Sequence, residues 1–374
     1  MFAFAAFVFG ASISLVLTPL VRRLAYRCGA LDHPDGMRKL QATPVPHLGG
    51  LAIFVALAAG AVVVWQTQPQ SSLAPGLLAS AACMCLIGWY DDRFALRVRW
   101  KLLGQIAATL PVVISGQSLS LLECCGCRVD VGWCGIPLSM VWLVAGANAI
   151  NFLDGVDGLA TTLGLIAAAM MCAIACCLGN TDAMLLAAVL AGALAGFWRF
   201  NWRPASIYLG DAGSMTIGLW LAALAMAGSR GGAQATRLVV PAALLAVPLS
   251  DVCLAVIRRV LAGRAFWLPD RGHIHHRLAE RGWSVGQTVG VLAAISAASG
   301  TLALAAAANL REDVVWGVLV GGAIALIRFK LIGADEMELV VQWLAKRLHA
   351  LDNRASLRRP LNTGHVTRDL PNTG

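Results

Sequence analysis

The feature that most limits what this chain can fold into is its recurring long apolar run. MFAFAAFVFGASISLVLTPLV (1–21) and GLATTLGLIAAAMMCAIACCLG (158–179) are both long enough to cross a hydrocarbon core of about 30 Å, which takes about 20 helical residues. In lipid, only helices and closed barrels satisfy every backbone N–H and C=O, and runs this continuous belong to helices. Eleven segments qualify, at 1–21, 48–66, 73–90, 101–115, 135–151, 158–178, 182–198, 212–228, 238–257, 286–308 and 313–332. The fourth is short, and the fifth ends in polar residues. The sequence therefore predicts an all-α polytopic membrane protein with about 11 transmembrane helices. Only 13% of residues are charged, against roughly 25% in soluble domains. The first segment has no small-residue cleavage site and its basic cluster follows it, so it is expected to be a retained helix and not a signal peptide.

Basic residues give the expected orientation. With the N-terminus outside, all but four of the 29 Lys and Arg fall on the cytoplasmic side; the four are Arg128, Arg230, Arg237 and Arg311. The prediction is an N-out/C-in orientation, with the basic loops facing the cytoplasm. The formal charge of +9 then belongs to one face, where it attracts anionic membrane lipids and suits an anionic substrate. No nucleic-acid partner is expected, because the basic residues sit in short loops between spans. Residues 1–332 form one multi-span domain. Residues 333–374 form a cytoplasmic tail, in which 334–351 has the spacing of a surface amphipathic helix before a disordered polar end.

Of the eleven cysteines, Cys83, Cys85, Cys172, Cys176, Cys177 and Cys253 lie in spans and are expected to be packing residues. Cys124, Cys125, Cys127 and Cys134 fall in an outside hairpin near 123–134. That cluster suits disulfides in an oxidising compartment better than a metal, and the sequence leaves its pairing open.

Membrane spans exclude carboxylates unless something uses them. Apart from Glu123, Asp130, Asp182, Glu312 and Asp313 outside and a few in the tail, the acids here collect at cytoplasmic helix ends: Asp32 and Asp35 after the first span, Asp91 and Asp92 after the third, Asp154 and Asp157 after the fifth. Asp211 opens the eighth, Asp251 lies in the ninth, and Asp270 precedes the histidine run DRGHIHHRL (270–278). Carboxylates and arginines gathered at one face suit a metal-bridged phosphate site better than a path through the bilayer. In WYDDRFALRVRWKLL (89–103), adjacent carboxylates call for a proton or a cation, and a hard divalent ion prefers such oxygens; a solvated turn is the plain alternative. In NAINFLDGVDGLA (148–160), Asn148 and Asn151 share a helical face, as do Asp154 and Asp157 if the helix continues. Two amides and two acids at the end of an apolar helix are costly without a use. In FNWRPASIYLGDAGSMTIG (200–218), Asp211 sits where an N-cap belongs. The same helix start could instead hold a cation and a phosphate together. The loop DHPDGMRKLQATPVPHLGG (32–50) carries Arg38 and Lys39, which suit phosphate contact or a charged connector.

These stretches, in this order, resemble the polyprenyl-phosphate N-acetylhexosamine-1-phosphate transferases, the membrane family of the WecA, TagO and MraY type. The resemblance runs from Asp32 to Leu278 and is most specific in NAINFLDGVDGL and YLGDAGS. DRGHIHHRL resembles the version found in members that use UDP-N-acetylglucosamine (UDP-GlcNAc), and not the triplet of those that use UDP-MurNAc-pentapeptide. The resemblance implies a reaction: undecaprenyl phosphate and UDP-GlcNAc give undecaprenyl-diphospho-GlcNAc and UMP, with Mg2+ or substituting Mn2+. This would be the initiating step of a cell-envelope polysaccharide.

Carried over residue by residue, the resemblance makes Asp211 the main metal ligand, with Asp91 and Asp92 as acids at the lipid phosphate and metal. Asn148, Asn151, Asp154 and Asp157 would line the nucleotide pocket, with Asn201 and Tyr208 placed to bond and stack the uracil. Lys39 and Lys101 would contact phosphates or nucleotide, and Arg271 with His273, His275 and His276 would hold the diphosphate and sugar. A homodimer would fit the family. Two positions depart from its pattern. Ala95 stands where many members have a third acid, and Gln41 where many have a histidine.

The histidine run first suggests zinc. A closed zinc site wants N and S ligands, however, and no cysteine lies on that loop. Adjacent His275 and His276 do not share a helical face, so the run is expected to grip phosphate and sugar. The chemistry needs no strong base, because a phosphate monoester's last pKa is about 6. Intramembrane carboxylates also serve transporters, but here only Asp251 approaches mid-span.

Overall fold

The computed structural model describes residues 1–33, 44–230, 235–263, 272–333, 336–343 and 345. The named helices, in chain order, are α1 (Phe2–Cys28), α2 (Gly49–Thr67), α3 (Leu73–Phe94), α4 (Val98–Ile114), α5 (Gly135–Leu153), α6 (Leu159–Cys177), α7 (Thr181–Asn201), α8 (Gly210–Gly228), α9 (Val239–Leu244), α10 (Ala246–Leu261), α11 (Ile274–Glu280), α12 (Val285–Ala307) and α13 (Glu312–Arg328). Among the described residues, eight helical segments are long and apolar enough to span a bilayer: α1, α2, α3, α5 with its preceding turn, α6, α7, α8 and α12. The chain is a multi-pass membrane protein.

The structure differs from the eleven expected spans at three places. The fourth and the last, α4 and α13, have 17 residues each, about 25 Å at 1.5 Å per residue. The ninth is broken into α9 and α10 around Leu245. Pro248 lies in the first turn of α10, where a missing N–H costs little.

Helix α8 is the axis of the bundle. Every residue from Ala212 to Gly228 is buried, and α3, α5, α2, α6 and α7 pack around it. Such close packing requires small residues where backbones cross. A Cβ added to Gly50 of α2 would lie 2.2 Å from the Gly213 nitrogen of α8. The crossing therefore brings two main chains together and fixes where α8 begins.

Helix ends are built from local signals. Ser284 and Gln287 form a capping box on α12, and Asn180 accepts from the Ala183 N–H on α7. At the far end of the bundle, β3 (Leu121–Cys124) and β4 (Cys127–Asp130) form the expected hairpin, joined in parallel by β5 (Thr236–Arg237). Its four cysteines are free thiols. At the opposite end, β1 (Leu31–Asp32) and β2 (Val45–Pro46) pair across the first loop.

One sequence expectation is corrected here. Only Cys85 is buried and Cys172 partly so; Cys83, Cys176, Cys177 and Cys253 face outward. A thiol is small and apolar enough to face lipid at little cost. Residues 336–343 are helical, and Glu336 is buried, paired with Arg258 of α10 and Arg277 of α11. The face carrying Met337, Val341 and Trp343 stays exposed.

Candidate active site

The site forms where α3, α4, α5 and α8 end together. Gly210 begins α8 with φ +69°, and a side chain there would meet the Asp92 carboxylate at 2.7 Å. Glycine allows both the left-handed turn and that approach. The Asp92 carboxylate of α3 accepts from the backbone N–H groups of Asp211 (2.9 Å) and Ala212 (3.2 Å). It thereby satisfies two of the unpaired donors at the helix start and lies at the positive end of its dipole. Asp211 is thus not the N-cap that its sequence position suggested; it occupies the first turn, and the cap is supplied by another helix.

Freed from capping, the Asp211 carboxylate accepts from Asn151 Nδ2 of α5 at 2.8 Å and pairs with Lys101 of α4. The same Lys101 Nζ lies 2.7 Å from Asp91 Oδ2, while the other Asp91 oxygen accepts from the Leu96 N–H at 2.7 Å. The two adjacent aspartates therefore do different work: Asp92 ends a helix and Asp91 faces a cation. Asn151 also donates to Ser214 Oγ at 2.9 Å. One turn further in, Asn148 and Gln105 of α4 bond reciprocally at 2.8 and 3.3 Å. Gln105, Ser214 and the packing of α4 against α5 were not legible in the sequence, because nothing local marks a partner 43 residues away.

Helix α5 stops at Leu153, with Asp154 as its C-cap, so Asp154 and Asp157 do not share a helical face as a continued helix would require. They lie instead on the turn into α6. The Asp154 carboxyl is held well above the usual carboxylate range, first by burial and then by the charges of Asp211, Asp92 and Asp157. Asp157 accepts from the Ala205 N–H at 3.1 Å, which ties this turn to the loop before α8.

Asn201, expected to bond the base, is buried. Its amide oxygen accepts from Thr161 at 2.6 Å and its nitrogen donates to the Ile207 carbonyl at 3.1 Å. Both hydrogen-bonding ends are engaged inside the protein, so it shapes the 202–209 loop. Tyr208 on that loop is half-buried and fixed by its backbone to Pro46 and Gly49. Burial, followed by the nearby charge of Asp157, pushes its phenol up to about 12.

The histidine run opens α11. His273 is the residue before the helix, and its Nδ1 lies 2.8 Å from Asp251 Oδ2 of α10. The other Asp251 oxygen accepts from the Ile274 N–H at 2.9 Å. The His273 ring packs on Phe152 of α5, with ring centroids 5.0 Å apart, and stacks parallel to His275 at 6.1 Å. His275 is 2% exposed, and among the described residues neither of its ring nitrogens has a hydrogen-bond partner. It lies against Gly155, where a Cβ would come within 2.7 Å of Nε2. His275 therefore reaches the Asp154–Asp157 turn, whereas His276 is exposed. Asp251 and Glu336, neither among the expected site residues, hold this helix from two sides. Lys39 and Arg271 lie outside the described residues.

The donors suit a hard cation. Asp91 and Asp211 both converge on one positive atom, Lys101 Nζ, and the nearby ligands are oxygens. Among the described residues, no three His, Cys, Asp or Glu side chains gather on one point. Asp91 and Asp211 are the residues that would hold magnesium, an ion that takes one or two carboxylates and completes its shell with water and substrate phosphates.

The sequence model of glycosyl transferase family 4 matches residues 74–229, which is α3 to the end of α8 and contains Asp91, Asp92, Lys101, Asn151, Asp154 and Asp211. A Bacillus subtilis protein named as a probable undecaprenyl-phosphate N-acetylglucosaminyl 1-phosphate transferase is 32% identical over 295 residues, covering 77% of this chain and 80% of that protein. The Mycobacterium tuberculosis decaprenyl-phosphate N-acetylglucosaminephosphotransferase is 36% identical over 309 residues, 73% of this chain and 75% of its own. A phospho-N-acetylmuramoyl-pentapeptide-transferase of Halalkalibacterium halodurans is 27% identical over 299 residues, 76% and 90% of the two chains. The chain belongs to glycosyl transferase family 4, the polyprenyl-phosphate N-acetylhexosamine-1-phosphate transferases.

Proposed function

We propose that this protein transfers GlcNAc-1-phosphate from UDP-GlcNAc to undecaprenyl phosphate, releasing UMP, at the inner-membrane face where Asp91, Lys101 and Asp211 meet. The observation that carries this reading is the convergence of two carboxylates on one cationic point, at the start of a buried helix whose cap comes from a third carboxylate. The relatives named for N-acetylglucosamine phosphate transfer to a prenyl phosphate support the choice of substrates.

In the reaction, a phosphate oxygen of the lipid attacks the phosphorus bearing the sugar, and the bond from that phosphorus to the bridging oxygen of UMP breaks. Two anions must approach, so the first requirement is positive charge. Asp91 and Asp211 would hold magnesium, which when bound reduces phosphate repulsion and stabilises charge on the leaving UMP. Lys101 adds a mobile ammonium at the same place. A phosphate dianion needs no deprotonation, so Asp91 serves to hold cations and not as a required base. Direct displacement is the simpler course. Asn151 fixes the Asp211 rotamer through its 2.8 Å bond, and His275 offers two unsatisfied ring nitrogens beside the Asp154–Asp157 turn. Neutral His275 has one N–H to donate to a diphosphate or sugar oxygen.

The basic residues favour a cytoplasmic site with N-out/C-in topology, which is where a nucleotide sugar is available and where the lipid phosphate can enter from the bilayer. The resemblance to the pentapeptide transferase makes UDP-MurNAc-pentapeptide the second reading. Membranes containing the protein, incubated with undecaprenyl phosphate and labelled UDP-sugars with and without EDTA, separate the two. Label passing to lipid from UDP-GlcNAc, and lost with EDTA, is the expected result. Transfer from a different UDP-sugar alone would overturn the substrate, and EDTA-resistant transfer would overturn the metal.

A further inference from the structure

Asp251 is a carboxylate deep in the bundle, 1% exposed, on a helix that carries none of the expected site residues. Burying an ionised carboxylate is expensive unless its oxygens are bonded, and both are. Oδ1 accepts from the Ile274 N–H at 2.9 Å and Oδ2 lies 2.8 Å from His273 Nδ1. The first bond caps α11 from outside, as Asp92 caps α8. The second selects a tautomer, because a carboxylate can only accept from Nδ1, leaving the proton there when the ring is neutral. His273 in turn stacks parallel on His275 at 6.1 Å and packs on Phe152, one residue from Asn151. One side chain thus sets the start of the histidine helix and the proton position on its first ring.

We infer that Asp251 is a positioning residue for transfer, fixing the His273 tautomer and the placement of α11 against the Asp154–Asp157 turn. It touches no reacting atom; it acts through His273. This inference rests on the proposal that the histidine run holds the donor.

Asparagine separates the two bonds. In Asp251→Asn the amide oxygen can still accept from Ile274, while the NH2 group faces Nδ1 and forces the other tautomer. Carboxylates that orient metal-bound histidines typically contribute about 10–100-fold, and a carboxylate that orients His273 is expected to act on the same scale. Asp251→Asn should therefore lower kcat/KM by about 10–100-fold while the unfolding midpoint in detergent stays near wild type. A double-mutant cycle with His273→Gln gives the decisive readout. If Asp251 works through His273, the double variant loses no more than the worse single one, whereas independent sites give losses that multiply.

Wild-type kcat/KM in Asp251→Asn, or multiplying losses, would overturn the inference. So would loss of folded protein in both Asp251→Asn and Asp251→Ser, which would assign the carboxylate to folding alone. The cycle is run with whichever UDP-sugar the wild type turns over. Failure of UDP-GlcNAc as donor therefore counts against the substrate and leaves this test intact.

Discussion

Asp92 on α3 caps the helix that carries Asp211, 119 residues further along the chain, through bonds of 2.9 and 3.2 Å to the Asp211 and Ala212 N–H groups. That one relationship joins the end of one spanning helix to the start of another and releases the Asp211 side chain toward Lys101 and Asn151. The neighbouring Asp91 faces the same lysine. Adjacent in sequence, the two aspartates are divided between architecture and chemistry.

Removal of the cap should therefore cost stability as well as activity. Asp92→Ala is expected to destabilise the protein by about 0.5–2 kcal/mol, the usual range for a lost N-cap, and to reduce transfer because Asp211 loses its fixed backbone. Asp91→Asn should reduce transfer with little change in unfolding midpoint. Thermal unfolding in detergent beside UMP release would check the pair. An Asp92→Ala protein as stable as wild type would refute the capping role.

Lys101 stands where a cation between Asp91 and Asp211 would stand. In protein without substrate, a divalent ion must displace that ammonium, at an electrostatic cost. Lys101→Met should consequently bind Mn2+ more tightly than wild type, by roughly tenfold or more if the displaced contacts are worth over about 1.4 kcal/mol, even though its turnover falls. Asp211→Asn should lose both metal binding and magnesium-dependent UMP release. Titration followed by electron paramagnetic resonance would measure the affinities; weaker Mn2+ binding by Lys101→Met would show that the lysine assists the metal.

Burial, with the neighbouring His276 and His273 adding to it, pushes the His275 imidazole down to about 4, whereas an unfolded chain protonates its histidines near 6.5. Between those values the unfolded chain binds the extra proton. The contribution of His275 to stability is thus complete above about pH 6.5 and is lost as pH falls toward 4, by roughly 3 kcal/mol at most. Unfolding midpoints measured from pH 7.5 to 4.5 should fall less steeply for His275→Phe than for wild type. His275→Ala and His276→Ala should also cripple transfer, and added zinc should not restore it. Zinc rescue would revive the reading of the run as a zinc site.

The crossing of α2 over α8 leaves no room at Gly50, where a Cβ would lie 2.2 Å from the Gly213 nitrogen. Because the obstacle is main chain, Gly50→Ala has to move a helix, an overpacking change that typically costs about 1–3 kcal/mol. The shift falls within one turn of Asp211, so activity should fall with stability. Unchanged melting in Gly50→Ala would show that the helices can separate without cost.

How much was legible varies by element. The apolar runs identified the spans, because a helix in lipid satisfies its own backbone and needs no partner to be recognised. The spans that blurred were those whose lengths or prolines left them short or broken, such as α4 and α9–α10. The polar clusters located the site for a related reason: Asp91, Asn151, Asp154 and Asp211 are costly beside hydrocarbon, so their presence is itself a signal. Asn201 shows the limit of that signal. It carries the same chemistry as Asn151, yet Thr161 and Ile207 occupy its amide, and sequence does not record which polar group a fold turns inward. Asp251 shows the converse. A lone carboxylate in an apolar helix became a partner of His273 only once α10 and α11 were placed together. Composition and periodicity determined a helical membrane protein with acids and histidines at one set of helix ends. The tertiary structure alone decided which carboxylate caps, which meets the cation and which holds a histidine, because those roles depend on hydrogen bonds between residues 22 to 119 positions apart.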